Sequence, residues 1–174
     1  MSRGRIFVAL GGNQGDVVVT LRKAIRQMNA WPETNVVATS RFWRTAPVDA
    51  EGPDFVNAVV ELHSTLAPEA LLDRLMALEA TLGRRRAPVA GVESRQPGHR
   101  YGARPIDLDL LMHGAHRCAT PRLTLPHPRM HERAFVLAPL ADIAPDLLLH
   151  TGQTVSAALL GLPDRDAVHA VAVA

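Results

Sequence analysis

Two hydrophobic periods alternate along this chain, and the order of that alternation limits its possible folds more than any other feature. Residues 6–10 form a short apolar run that reads as a strand. The run ends in Gly11-Gly12-Asn13-Gln14-Gly15, a turn-rich segment. Asp16 then stands as N-cap to a helix carrying Leu21, Ile25 and Met28 on one face. Residues 35–43, β-branched at their start, read as a second strand, and 45–53, with two prolines and a glycine, as a loop. Residues 55–62 have period two: Val56, Ala58, Val60 and Leu62 share one face, Phe55 and Asn57 the other. Residues 68–82 return to the helical period, with Leu71, Leu75, Leu78 and Leu82 on one stripe and Gly83 as the stop. Residues 106–112 read as a fourth strand, and Met130, Ala134, Leu137 and Leu140 mark a later helix. The order β-α-β-β-α-β, then helices, predicts an α+β fold: a ferredoxin-like α/β sandwich with a mainly antiparallel sheet and C-terminal helices. A chain of 174 residues, 47% of them hydrophobic, is expected to build this as one domain over 1–174.

The cations narrow the chemistry. Of 19 basic residues only Lys23 is a lysine, and it lies between Arg22 and Ala24, so the Gly-Lys-Ser/Thr of a P-loop is absent. The glycines after the first strand do not follow G-x-G-x-x-G either. Phosphate would have to be held by arginine, backbone amides or metal. Six arginines (Arg84, Arg85, Arg86, Arg95, Arg100, Arg104) fall between 84 and 104 against one acid, Glu93, while the whole chain carries only +2. A focus of this kind suits a compact anion better than a nucleic-acid track, and an aromatic content of 4% points the same way. The single cysteine, Cys118, has no internal disulfide partner, which fits a reducing cytoplasm. No apolar run approaches the roughly 20 residues of a membrane span, and the first strand starts too early to leave room for a signal peptide. A cytoplasmic monomer acting on small molecules, with no nucleic-acid or membrane partner, is the expectation.

The most specific segment runs Arg100-Tyr101-Gly102-Ala103-Arg104-Pro105-Ile106-Asp107-Leu108-Asp109-Leu110-Leu111. On a strand, Asp107 and Asp109 project to one face with Cα atoms roughly 7 Å apart, while Ile106, Leu108 and Leu110 point the other way. Neighbouring carboxylates repel unless neutralised. Magnesium, which accompanies substrate phosphates, would neutralise them, and the flanking arginines suit the phosphates themselves. Two solvated acids on an edge strand are the structural alternative.

This segment resembles the signature of the 6-hydroxymethyl-7,8-dihydropterin pyrophosphokinase family: basic, any, Gly, small, Arg, any two, Asp, aliphatic, Asp, two aliphatics. Leu10-Gly11-Gly12-Asn13 is similar to the family's first-strand motif, and Arg41-Phe42-Trp43-Arg44-Thr45-Ala46-Pro47 to its Phe-Tyr-Arg-Thr-x-Pro segment. Asp54-Phe55-Val56-Asn57-Ala58 is similar to its aromatic-x-Asn strand, Leu66-Ala67-Pro68-Glu69 to the start of its second helix, and Leu123-Thr124-Leu125-Pro126-His127 and Arg133-Ala134-Phe135 to its late motifs. The resemblance implies transfer of the β,γ-diphosphate of ATP to the hydroxymethyl oxygen of the reduced pterin, releasing AMP, in folate biosynthesis. It implies catalytic roles for Arg86, Arg100, Arg104, Asp107 and Asp109, with the two aspartates as ligands of two Mg²⁺ ions. It places the pterin among Thr45, Pro47, Val48, Phe55, Asn57 and Phe135, and ATP among Arg84, Arg86, Arg100, Arg104, Leu110, Arg122, Thr124, His127 and Arg133. Glu79 matches a family acid.

The physics agrees: in-line diphosphate transfer needs positioning and charge neutralisation more than covalent help. A flat heteroaromatic ring wants an aromatic face and an amide that both donates and accepts. Three departures stand out. Tyr101 replaces a common Trp, Pro128 replaces a common aromatic, and residues 87–99 are about ten longer than the short form of a loop that reads, over 84–104, as a mobile basic lid. A ferredoxin-like nucleotide-binding regulatory module without chemistry, and a nucleic-acid-binding domain, are the competing functions; neither requires paired aspartates beside an aromatic-amide pocket.

Overall fold

The computed structural model describes residues 4–47, 51–83 and 105–172. The elements in chain order are β1 (Ile6–Gly12), α1 (Val17–Ala30), β2 (Thr34–Thr39), β3 (Trp43–Thr45), β4 (Phe55–Ser64), α2 (Pro68–Thr81), β5 (Asp107–His113), β6 (Cys118–Ala119), β7 (Thr124–Leu125), α3 (Ala134–Ile143), α4 (Val155–Leu160) and β8 (Val168–Ala170). One six-stranded sheet has the order β5-β1-β4-β3-β8, with β2 also paired to β4, and every pairing in it is antiparallel. β6 and β7 form a separate hairpin. The predicted order β-α-β-β-α-β, then helices, is present, with the second strand split in two and short strands β6, β7 and β8 added.

Helices cover both faces of the sheet. On one, Ile6, Val8 and Leu10 of β1, the Val56-Ala58-Val60-Leu62 row of β4, and Leu108 and Leu110 of β5 meet Leu21 and Met28 of α1 and Leu71, Leu75 and Leu78 of α2. On the other, Phe7, Val59 and Leu111 meet Val136, Leu137 and Leu140 of α3 and Val155 and Ala158 of α4. Burial on both faces explains why β4 is nearly continuous in apolar residues rather than cleanly alternating. Asp16 caps α1 as expected, its Oδ1 accepting the Val19 N–H at 3.1 Å.

Two local features differ from the expectation. The strand foreseen over 35–43 is two strands, both paired to β4. Between them Ser40 substitutes its side chain for the ladder. Its N–H donates to the Val59 carbonyl and its Oγ accepts the Val59 N–H, both at 2.9 Å. With those backbone groups satisfied, the chain leaves the ladder and re-enters it at Trp43. In the C-terminal part, expected to be helical, residues 168–170 form β8 against β3.

Leu75, fully buried between α2 and the sheet, sets the scale of the core. Leu75→Ala should cost about 2–5 kcal/mol in denaturant unfolding, against about 0.5 kcal/mol or less for Val37→Ala on the exposed side of β2.

Candidate active site

Antiparallel register places the chemistry. Gly11 of β1 pairs with Asn57 on β4 and with Asp107 on β5, and Trp43 of β3 pairs with Asn57 in turn. Directly opposed residues share a face, so Trp43, Asn57, Gly11 and Asp107 form one row across four strands. The next row holds Val59, Ala9 and Asp109. With strands about 4.8 Å apart, the Asn57 amide and the Asp107 carboxylate spring from positions about 10 Å apart. Only Gly11 stands between them.

Gly11 is needed for space, not for backbone freedom. A Cβ there would lie 2.6 Å from Asn57 Oδ1, so the amide occupies the volume a side chain would fill. Asn57 Nδ2 is buried and has no hydrogen-bond partner among the described residues. An orphaned buried donor costs about 1–3 kcal/mol, which marks the place where a ligand would supply an acceptor. Phe55 lies two residues away, and Thr45, the last residue of β3, pairs with it. Pro47 is half-buried just beyond. Phe135, in the first turn of α3, packs on the same side of the sheet as Val59.

Beside this pocket lies a cleft of about 570 Å³. Among the described residues it is lined by Leu72, Met76 and Glu79 of α2, Asp107, Leu108 and Asp109 of β5, and Pro121, Arg122, His127 and Arg133 from the segments that follow. Arg122 reaches back to α2, donating to Glu69 and Asp73. The Arg133 guanidinium sits 5.6 Å from the centroid of Phe135, so a cleft arginine and a pocket aromatic touch.

His127 is anchored by its own N–H, which donates to the Leu111 carbonyl at 2.8 Å. Its Nδ1 accepts the Arg129 N–H at 3.2 Å. Burial holds the imidazole below its ordinary value, the Arg133 and Arg129 cations push it further down, and Asp107 opposes them. The ring is therefore neutral at pH 7 and carries its proton on Nε2, a hydrogen-bond donor.

The predicted site residues thus divide. Asp107, Asp109, Arg122, His127 and Arg133 come together on the cleft, and Thr45, Pro47, Phe55, Asn57 and Phe135 belong to the neighbouring end of the sheet. Leu110 turns away into the core beneath the helices, 4% exposed, and Thr124 is half-buried in the β6–β7 hairpin. Val48, Tyr101, Arg84, Arg86, Arg100 and Arg104, with the whole lid expected over 84–104, lie outside the described residues. The two ends of that segment do lie together: a Cβ on Gly83 would be 3.9 Å from Pro105. Sequence reasoning missed Leu72 and Met76. With Glu79 they form a second helical stripe on α2, offset by one residue from Leu71-Leu75-Leu78, and that spacing was the available signal.

Paired aspartates on an outer strand, beside a cleft edged by arginine and a neutral histidine, on an α+β sandwich with no P-loop, define a class: enzymes that move phosphate groups by positioning and charge. A family model described as 7,8-dihydro-6-hydroxymethylpterin-pyrophosphokinase (HPPK) matches residues 7–145. The 2-amino-4-hydroxy-6-hydroxymethyldihydropteridine pyrophosphokinase of Pseudomonas aeruginosa is 40% identical over 160 residues, 91% of this chain and 92% of the relative. The protein of the same name from Methylorubrum extorquens is 40% identical over 159 residues, 91% and 93% of the two chains. Among solved structures, an HPPK-DHPS crystallised with substrates superposes with a TM-score of 0.67 at 12% identity, over 91% of this chain and 43% of that one. Plasmodium falciparum HPPK-DHPS gives 0.65 at 13%, over 88% and 40%. At that identity the likeness is one of fold, and the chain spans less than half the length of those solved chains. The chain belongs to the 7,8-dihydro-6-hydroxymethylpterin-pyrophosphokinase family, and is accordingly an ATP-dependent diphosphotransferase of folate biosynthesis.

Gly11→Ala should raise KM about tenfold or more for the substrate that the Asn57 amide faces, because the new methyl displaces that amide. Steady-state kinetics with each substrate varied in turn checks this. A second expectation concerns pH. Burial lowers both His127 and His113 from 6.5; His113 is held by the Leu66 carbonyl at 2.9 Å. Depressed imidazoles contribute stability that is fully present above the unfolded value and is lost as pH falls through the folded one. Denaturant midpoints should be flat above about pH 7 and decline below 6.5, with a shallower decline in His113→Gln.

Proposed function

We propose that the row from Asn57 to Asp107 is the substrate floor of this diphosphokinase. The pterin would be read by Asn57 and held between Phe55 and Phe135, and ATP would lie in the neighbouring cleft. The observation that carries this is Asn57: a buried amide with an orphaned Nδ2, packed over a glycine, one strand from the aspartate-bearing β5. An amide in that state wants a planar partner with a hydrogen-bond acceptor, as a pterin edge offers. Thr45, Pro47 and Val48 would supply backbone contacts to the ring. Because the Arg133 guanidinium stacks on Phe135, the two substrates would be neighbours, with the hydroxymethyl group directed toward Asp107 and Asp109.

Arg122, Arg133 and His127 would hold ATP phosphates and ribose, His127 donating through Nε2, with Thr124 and the Leu110 backbone nearby. Arg84, Arg86, Arg100 and Arg104 complete this set by the resemblance their segment carries, and the adjacency of Gly83 and Pro105 tethers both ends of that basic segment beside β5 and α2. The described acids of the cleft do not gather into a set of three or more metal-ligating side chains. Two aspartates with phosphate oxygens to complete the shell suit Mg²⁺, which is usually held by one or two carboxylates plus substrate phosphates. Two Mg²⁺ ions, when bound there, would neutralise the phosphates and acidify the attacking hydroxyl. The protein's share is to keep donor and acceptor in line and to exclude water, and no described side chain is required as a general base. The chain would act as one domain over 1–174, a reading supported by α4 and β8 packing back onto α3 and β3, and as a cytoplasmic monomer.

Incubation with ATP, Mg²⁺ and 6-hydroxymethyl-7,8-dihydropterin, read by mass spectrometry, should give AMP and the pterin diphosphate; ADP, or no AMP, would overturn this reading. Asp109→Ala should lower kcat by about a hundredfold or more with an unchanged circular dichroism spectrum, and a near-native rate would remove Asp109 from the proposed metal site.

A further inference from the structure

The substrate floor leaves one cluster of charged and aromatic groups unused. Asp142, in the last turn of α3, keeps only 14% of its side chain exposed and accepts four hydrogen bonds. Its Oδ2 takes the Arg41 backbone N–H at 3.0 Å, Arg41 Nε at 3.2 Å and the Trp43 indole N–H at 2.9 Å; its Oδ1 takes Arg41 Nη2 at 2.9 Å. The Arg41 guanidinium also lies over the Trp43 ring, 4.9 Å from its centroid. Exposed ion pairs are worth little, and Arg41 alone, with 63% of its side chain exposed, would be one of them. The two other donors change that assessment. A backbone N–H and a half-buried indole have fixed positions, so the carboxylate is locked to the strand and not merely attracted to a mobile side chain.

What the lock joins gives it meaning. α3 carries Phe135, the proposed wall of the pterin pocket, in its first turn and Asp142 in its last. β3 begins with Trp43, which pairs with Asn57, and ends with Thr45, which pairs with Phe55. Trp43 packs against Ala134, Ala138 and Val168, so two alanines let the helix lie close on the indole. A slide or rotation of α3 over the sheet would change the gap between Phe135 and the Phe55-Asn57 strand, and the Asp142 bonds oppose that movement. Burial would raise the carboxyl, but the bonds from Arg41 and Trp43 outweigh it and hold it below its ordinary value, so the lock stays charged at neutral pH.

We infer that Asp142 is a positioning residue for the pterin pocket: by holding Trp43 and Arg41 it sets the spacing between Phe135 and the Asn57 strand, and so controls affinity for the pterin and not for ATP. The inference rests on the pocket proposed above.

Asp142→Asn removes the charge with little change of shape, Trp43→Phe removes the indole N–H and shrinks the ring, and Asn57→Ala tests the pocket itself. Each variant is assayed with either substrate varied. Asp142→Asn and Trp43→Phe should each raise KM for the pterin about tenfold, the loss expected for a charge-assisted hydrogen bond, with KM for ATP and kcat within about twofold of native. If Asn57→Ala raises KM for the pterin while the other two leave it unchanged, or raise both KM values together, or lower only the melting temperature, Asp142 has no positioning role. If Asn57→Ala also leaves KM for the pterin unchanged, the pocket is elsewhere and both readings fall. Should Asp142→Asn not fold, Trp43→Phe alone decides.

Discussion

The antiparallel ladder between β4, β1 and β5 is the constraint on which everything else here depends. Side chains on a strand alternate, so a slip of one residue would turn Asn57 and both aspartates into the core and bring Val56 and Leu108 onto the substrate side. The core prevents that slip. Val56, Ala58, Val60 and Leu62 fill one apolar face with Leu108 and Leu110, and the other face is filled by Phe7, Val59 and Leu111. The proposed site is therefore held in register mainly by apolar packing on the two faces of the sheet.

The same economy explains why the polar groups of the site stand on strands and at the first turn of a helix and not on a bundle of loops. Gly11 and Ala9, the small residues of β1 on this face, keep the floor low between two rows of functional side chains. His127 is tied to the β5 backbone, so the segment after the hairpin is pinned within reach of Asp107. Arg133 and Phe135, two residues apart where α3 begins, touch each other and serve neighbouring parts of the site.

Much of this was legible in the residues alone, for physical reasons. The order of periods predicted the element order, because burial on one or two faces imposes period two on strands and 3.6 on helices. Asp107 and Asp109 stood out as acids at alternate positions of an otherwise apolar strand, a pattern that two solvated acids on an edge strand also fit, so the metal reading leaned on the flanking arginines and the family resemblance. The break at Ser40 was not legible, since a serine hydroxyl that replaces a ladder bond looks like any serine within a strand. Nor was the role of β8: three residues with no strong alternation find their place only against β3. The lock at Asp142 joins residues about a hundred positions apart through a single carboxylate, and no local pattern announces such a contact. Met76 and Leu72 were hidden by a stronger neighbouring stripe.

The chain leaves α2 and enters β5 at nearly the same point. The body of the protein thus brings together the two positions that flank the 21 residues from 84 to 104. Closure entropy grows only with the logarithm of length, so doubling such a segment costs about 0.6 kcal/mol. Relatives could lengthen, shorten or recompose this stretch while the floor of Asn57, Gly11 and Asp107 stays fixed, which makes it the part of the architecture most open to divergence at least cost to the fold.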